Sequence, residues 1–299
     1  MHIRYLEYLI ALDHERHFAR AAASCNVSQP TLSAGLVSLE AQLGKRLVER
    51  ERRFIGFTPE GEAVLPWARQ VIAAHSNLVL AAGRANKPLS GEVRIGCIPA
   101  AMPVIGYLAQ ALQAAHVEVT IACHSMTSEA VLRGIRTFEL DVGITYVDKA
   151  MPPDFRLLGL YRDRFVLLTG ATAGLPDGTP VPVRQAIEHR LCLLPQSMQN
   201  RRILDDRLAQ HGCSAQPVIT ADSFDALFAI VSGGGYSAFI PESYRSMVPE
   251  NLRVLPIVPP LASATIGLVL PGDKFPSATA GPILAIGESL ALPAQFDPV

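Results

Sequence analysis

VSQPTLSAGLVSLE, running from Val27 to Glu40, reads as a helix with its start signal in place, yet it carries no Lys or Arg. Leu32, Leu36 and Leu39 share one face on a helical projection, and Leu43 extends it. The other side shows Pro30, Ser33, Ala34, Val37 and Ser38. Ser28 is a natural N-cap, and Pro30 in the first turn sacrifices no intrahelical hydrogen bond. Upstream, His17-Phe18-Ala19-Arg20-Ala21-Ala22-Ala23 favours a helix whose small residues permit close approach, and Cys25-Asn26-Val27 makes a turn. Helix, tight turn and capped helix form the helix-turn-helix pattern.

In that pattern the second helix enters the DNA major groove. A small outer face then lets the backbone come close. Ser33 and Ser38 can hydrogen-bond phosphates or base edges, and Ala34 and Val37 can pack on thymine methyl groups without any charge. Positive charge sits nearby, at Lys45-Arg46 and in Arg50-Glu51-Arg52-Arg53. The second cluster precedes Phe54-Ile55-Gly56-Phe57, a candidate wing for the adjacent minor groove. The spacing alone also fits a helical hairpin with a solvated polar face.

Further residues decide between the two. His17-Phe18-Ala19-Arg20-Ala21-Ala22, Val27 to Ser33, Leu39-Glu40, Leu43-Gly44, Leu47-Val48-Glu49-Arg50 and Thr58-Pro59-Glu60-Gly61 follow one another in order. Together they resemble the N-terminal signature of LysR-type transcriptional regulators. The resemblance implies an α/β protein: an N-terminal winged helix-turn-helix (1–58), a linker and dimerisation helix (59–88) and a two-lobed periplasmic-binding-protein-like effector domain (89–299). Lobe I is expected at about 89–163 and 262–299, and lobe II at about 164–261. The expected DNA contacts are Gln29, Pro30, Thr31, Ser33, Ala34, Val37, Ser38, Arg50, Arg52 and Arg53. Many family members carry Arg directly after the Ser at position 33, where this chain has Ala34. That departure shifts weight to Gln29, Pro30, Ser33 and the wing arginines.

The rest of the chain is consistent with this division. Its 299 residues are 49% hydrophobic and 18% charged, with a net charge of −1. A large core is available, and any attraction to nucleic acid has to be local. No apolar run approaches the roughly 18 residues of a membrane span. The N-terminus lacks the apolar core of a signal peptide, being interrupted by Glu7, Asp13 and His14. Five widely spaced cysteines without a CxxC pair suit a reducing cytoplasm.

Thr58 to Arg84 favours an unbroken helix apart from Pro66. Leu65, Ala68, Ile72, His75, Val79 and Ala82 are spaced 3, 4, 3, 4 and 3 apart, as in a coiled-coil seam between two copies. His75 on that seam is expected to be packed and neutral. A break at Asn86-Lys87-Pro88-Leu89-Ser90-Gly91 suits a hinge. After it, β-branched runs (EVRIGCI, VEVTIAC, LDVGITYV, FVLLT, LCLLP, PVITA) alternate with helical stretches, which predicts a mainly parallel sheet with covered faces.

Open parallel sheets bind ligands beyond the carboxyl ends of their strands. In LysR-type proteins the loops there line the inducer pocket. Carried over by position, the effector candidates are Ala100, Met102, Ser125, Thr127, Thr145 and Ser197, with Phe224 and Ile240 as apolar walls. The plainer reading of the hydroxyls is ordinary helix N-capping. No Lys or Arg occurs in the named loops before Arg201. A small monocarboxylate held by neutral donors and helix starts is therefore expected, with formate as a candidate.

Other functions are weaker matches. No GxSxG, HExxH or Walker sequence occurs, which argues against an enzyme. His116, Cys123 and His124 lack zinc-finger spacing, and Val231-Ser232-Gly233-Gly234-Gly235-Tyr236-Ser237 lacks the GK[ST] ending of a phosphate loop. No cofactor or metal is expected. Redox sensing, as in peroxide-responsive members of the same family, is the alternative, but Cys192 lies inside an apolar strand, and Cys213 follows a helix at His211-Gly212. The expected partners are promoter DNA, a small effector, a second copy in a homodimer or homotetramer, and RNA polymerase.

Overall fold

The computed structural model describes residues 2–50, 54–81, 89–147, 151–170, 178–272, 277 and 279–299. Three helices open the chain: α1 (Ile3–Glu15), α2 (Phe18–Ser24) and α3 (Gln29–Leu43). Ser28 caps α3, its Oγ accepting from the Thr31 amide at 3.3 Å, and Gly44 ends the helix in the left-handed conformation (φ 65°). Leu32, Leu36 and Leu39 are buried with Leu6, Leu9 and Leu12 of α1. Burying each such leucine contributes roughly 1.5–3 kcal/mol.

Strands β1 (Val48–Arg50) and β2 (Phe54–Phe57) pair antiparallel as a wing. Glu40 anchors its base. The buried carboxylate accepts from the backbone amides of Leu47 (2.9 Å) and Val48 (3.2 Å). Thr58 hydrogen-bonds the Arg46 carbonyl at 2.6 Å and caps the next helix through the Gly61 amide. Gly61 is required there, because a Cβ would sit 2.1 Å from the Leu47 carbonyl oxygen.

The linker helix α4 (Pro59–Ala81) departs from the expected seam. Leu65 and Ala68 are each 2% exposed inside the core of the chain's own head, with Ile72 packed against it. His75 is exposed and Val79 half-buried, while Ala82 lies outside the described residues. The seam residues nearest the head therefore face α1 rather than a partner, because the head has its own apolar surface to cover. The side of α4 left open carries Trp67, Val71 and Leu78.

The remaining elements are β3 (Ser90–Cys97), α5 (Met102–Ala115), β4 (Glu118–Ser125), α6 (Ser128–Arg136), β5 (Val142–Tyr146), β6 (Phe155–Gly170), β7 (Val181–Pro182), α7 (Val183–Ala186), β8 (Cys192–Leu193), α8 (Gln199–Gln210), β9 (Ile219–Thr220), α9 (Phe224–Ser232), β10 (Ser237–Pro241), β11 (Leu252–Pro271), α10 (Ala280–Glu288) and β12 (Asp297–Pro298). The main sheet runs β10-β6-β11-β5-β3-β4. β3 is parallel to β4 and β5, whereas β6 and β11 are antiparallel to each other and to β10 and β5 respectively.

The expectation of a mainly parallel sheet is thus corrected to a mixed one. FVLLT is only the end of a strand that begins at Phe155, and LCLLP and PVITA contribute two-residue strands. β3, β4 and β5 with α5, α6 and α10 form one lobe. α7 to α9 with β7 to β10 form the other, whose core includes Phe165, Leu204, Leu208, Phe239 and Leu261. β6 and β11 run through both.

Candidate functional site

Two sites stand apart on the chain. The first is the outer face of α3. Gln29, Pro30, Thr31, Ala34 and Val37 are exposed, and Ser33 and Ser38 are half-buried beside them. Thr31 Oγ1 lies 2.8 Å from Ser28 Oγ and is shared with the cap. Gly35, on the inner side, lets α3 close on α1: a Cβ there would meet Tyr8 at 2.6 Å. The small face is therefore a property of both sides, close packing inward and open approach outward. Arg52 and Arg53 lie outside the described residues, as does the Arg50 side chain.

The second site is the junction between the lobes, where Asn200 after β8 meets Tyr146 at the end of β5, and Tyr244 meets Pro99 after β3. Their chemistry differs from the expectation. Thr127 is a helix cap, accepting from the Ala130 amide at 3.2 Å. Thr145 is 1% exposed and donates to Ser128 Oγ at 2.9 Å. Ala100 and Ile240 are core residues, and Met102 is half-buried against that core. Phe224 stacks on Tyr244, with ring centroids 4.3 Å apart. Ser125 and Ser197 are exposed.

The polar groups that meet at the junction come instead from Tyr146, Tyr161, Asp163, Asn200, Ser243 and Tyr244. Asn200 Nδ2 donates to the Tyr146 hydroxyl at 3.2 Å, and the Tyr244 hydroxyl donates to the Pro99 carbonyl at 2.6 Å. Ser243 Oγ donates to Asp163 Oδ2 at 2.7 Å, and the Arg164 amide donates to Oδ1 at 2.8 Å. Among the described residues the buried Tyr161 hydroxyl makes no hydrogen bond of full geometry, although it lies close to the Ser243 side chain. Burial, reinforced by the Asp163 charge, pushes the Tyr161 phenol well above its usual range. Arg201, the first base after the loops, is 4% exposed and committed to Asp205 (2.8 Å) and the Leu194 carbonyl (2.9 Å).

Asp163 carries a pH signature. Burial raises its carboxyl from 3.8 to about 6, against the opposing hydrogen bonds from Ser243 and Arg164. Because the folded value lies above the unfolded one, the protonated acid favours folding. That contribution is fully present below 3.8 and is lost as pH rises through about 6. A shift of this size corresponds to about 3 kcal/mol. Asp163→Asn is expected to flatten the pH dependence of stability between pH 4 and 7 in urea unfolding followed by circular dichroism. An unchanged slope would remove Asp163 as its source.

Four of the cysteines offer little thiolate. Burial pushes Cys25, Cys97, Cys123 and Cys192 upward, Cys192 to about 11. Cys97 Sγ donates to the Ile98 carbonyl at 3.3 Å, and Cys213 Sγ to the His211 carbonyl at 3.5 Å. His116 Nδ1 accepts from the Leu89 amide at 3.2 Å. Among the described residues no helix is long and apolar enough to cross a membrane.

Comparison with known proteins places both sites in a family. Residues 3–62 match the bacterial regulatory helix-turn-helix protein, lysR family, and residues 86–286 match the LysR substrate binding domain. A hydrogen peroxide-inducible genes activator from Haemophilus influenzae is 29% identical over 282 residues, covering 92% of each chain. A full-length OxyR mutant from Pseudomonas aeruginosa superposes with a TM-score of 0.79 at 23% identity, covering 99% of each chain. A hydrogen peroxide-bound OxyR mutant from Corynebacterium glutamicum gives 0.60 at 23% identity, over 97% of this chain and 93% of that one. Full-length CbnR in complex with its target DNA gives 0.68 at 21% identity, over 97% and 98%. The small exposed face of α3, the wing and the two-lobed α/β domain are those of a DNA-binding regulator with an effector domain, and the chain belongs to the LysR family.

Proposed function

We propose that this chain regulates transcription in the cytoplasm as a homodimer, without enzymatic activity, and that its signal is a small neutral polar molecule, with hydrogen peroxide first among candidates. The observation that carries the effector reading is the polar set at the lobe junction. It contains an acid, Asp163, and no free base, since Arg201 is already paired. A carboxylate entering there would meet a like charge in a poorly hydrated site. Hydrogen peroxide is neutral and both donates and accepts hydrogen bonds, which suits a junction carrying the Tyr161, Ser243 and Tyr244 hydroxyls. The relatives support the same choice, one being a hydrogen peroxide-inducible genes activator. This reading replaces the small carboxylate expected from the loops.

Footprinting of the full chain on the promoter of its own gene tests it. Hydrogen peroxide is expected to alter the protected region, and formate to leave it unchanged. The opposite pattern would return the carboxylate. Repeating the experiment with each of the five free cysteines replaced by Ser in turn separates oxidation of a thiol from reversible binding. A response lost in one variant that still folds assigns the signal to that cysteine, and a response kept in all five assigns it to binding.

A further inference from the structure

We propose that Asp13, Arg69 and Glu139 form a latch through which the first lobe of the effector domain sets the orientation of the DNA-binding head. The latch joins three parts of the chain. Arg69 projects from the middle of α4. Its Nη2 donates to Asp13 Oδ2 at the end of α1, and its Nη1 donates to Glu139 Oε1 at 2.9 Å. Glu139 belongs to the turn between α6 and β5, in the effector domain. One guanidinium therefore ties head, linker and lobe together.

The two arms differ in strength, and that difference makes this a latch rather than a fixed strut. Arg69 and Asp13 are 10% and 14% exposed, so the inner arm is shielded and belongs to the packed head. Glu139 is 47% exposed, so the outer arm is open to solvent and weakly held. It also borders a cleft of about 1010 Å³ lined by Glu62, Arg69, Glu92, Arg133 and Glu139, where water can replace the carboxylate. The outer arm can open while the head stays folded.

Glu139 itself is held by the strand that reaches the lobe junction. Arg94 of β3 donates to the Phe138 carbonyl at 3.0 Å and to Asp141 Oδ2 at 3.1 Å, fixing the turn on both sides of Glu139. Phe138 adopts a left-handed backbone (φ 57°), and the Glu139 and Leu140 amides both return to the Gly134 carbonyl. β3 then leads to Pro99, whose carbonyl receives the Tyr244 hydroxyl of the junction. A displacement of β3 at the junction is thereby carried to the Glu139 turn, and from there to Arg69. The latch operates in this way whatever molecule occupies the junction.

Electron–electron distance measurements on the full chain test it. One spin label goes on exposed Cys123 of β4 and one on a cysteine replacing exposed Gln42 of α3, with Cys25→Ser to remove a half-buried competitor. Labelled chains are diluted into unlabelled ones so that only distances within a protomer are read. Glu139→Gln is expected to broaden the head-to-lobe distance distribution, and Glu139→Arg, which repels Arg69, to broaden it further. Arg136→Ala breaks an exposed pair with Asp154 within the same lobe and is expected to change nothing. On DNA, a base pair inserted between half-sites should be tolerated up to about fivefold better by Glu139→Gln than by the parent chain. If Glu139→Arg matches the parent distribution, or Arg136→Ala broadens it equally, the latch is overturned. An unchanged insertion penalty in Glu139→Gln overturns its role in orienting the head.

Discussion

Val37→Glu is expected to abolish operator binding while leaving the head folded. Val37 is 49% exposed on the outer face of α3, so replacing it removes little packing. In the groove the new carboxylate would face the negative potential of the phosphates and lose a thymine-methyl contact. Juxtaposing like charges at an interface costs several kcal/mol. Even about 3 kcal/mol is roughly a hundredfold in affinity. Gel shift on the promoter measures the affinity, and thermal unfolding checks the head. Binding within a few-fold of the parent, with the fold intact, would move α3 out of the groove.

The contrast with Leu32 and Leu36 explains why this part of the chain was legible in its sequence. Along α3 the buried leucines recur at helical spacing, the cap and the terminal glycine mark both ends, and each position has one physical role. Helix, turn and wing are local structures, encoded by residues close together in the chain. The cap at Thr58 and the close approach at Gly61 belong to the same class. Glu40 was visible only as part of a motif. Its role emerges once the fold places the Leu47 and Val48 amides against it.

The effector site was legible in outline only. Loops after β3, β4, β5 and β8 were expected to line one pocket, and the structure brings Asn200 to Tyr146 and Tyr244 to Pro99. The groups that give the junction its character come from elsewhere: Tyr161 and Asp163 lie midway along β6, and Ser243 and Tyr244 follow β10. A sixteen-residue strand that crosses two lobes has no local signature. Its apolar end reads as a short buried strand, and Tyr161 and Asp163 lie just before that run. Asp163 was nonetheless a signal, an acid abutting the apolar run Phe165 to Leu168. Thr145 misled for the converse reason. A hydroxyl at a strand end looks free until Ser128, seventeen residues earlier, is found to accept its hydrogen bond.

Replacing both Val71 and Leu78 with Glu is expected to leave the chain monomeric, with its head and effector domain folded. The linker helix is apolar on two faces, and both obey three-and-four spacing. Leu65, Ala68 and Ile72 cover the head. Trp67, Val71 and Leu78, with Ala74 between them, form a second stripe, and these three large side chains are 67%, 38% and 67% exposed. Periodicity cannot rank the two faces; only the position of α1 can. An exposed stripe of Trp, Val and Leu on a helix of 23 residues fits a second copy of the same helix. Two symmetric copies of the double variant would bring four carboxylates into one seam. A Glu at Ile72, by contrast, would disturb the head core. Sedimentation velocity should show dissociation at concentrations where the parent chain is dimeric, by about a hundredfold or more in dimer affinity if the four charges together cost roughly 3 kcal/mol. Operator affinity should fall with it, because a monomer engages one half-site and loses the linked second contact. An intact dimer would return the partner to another surface.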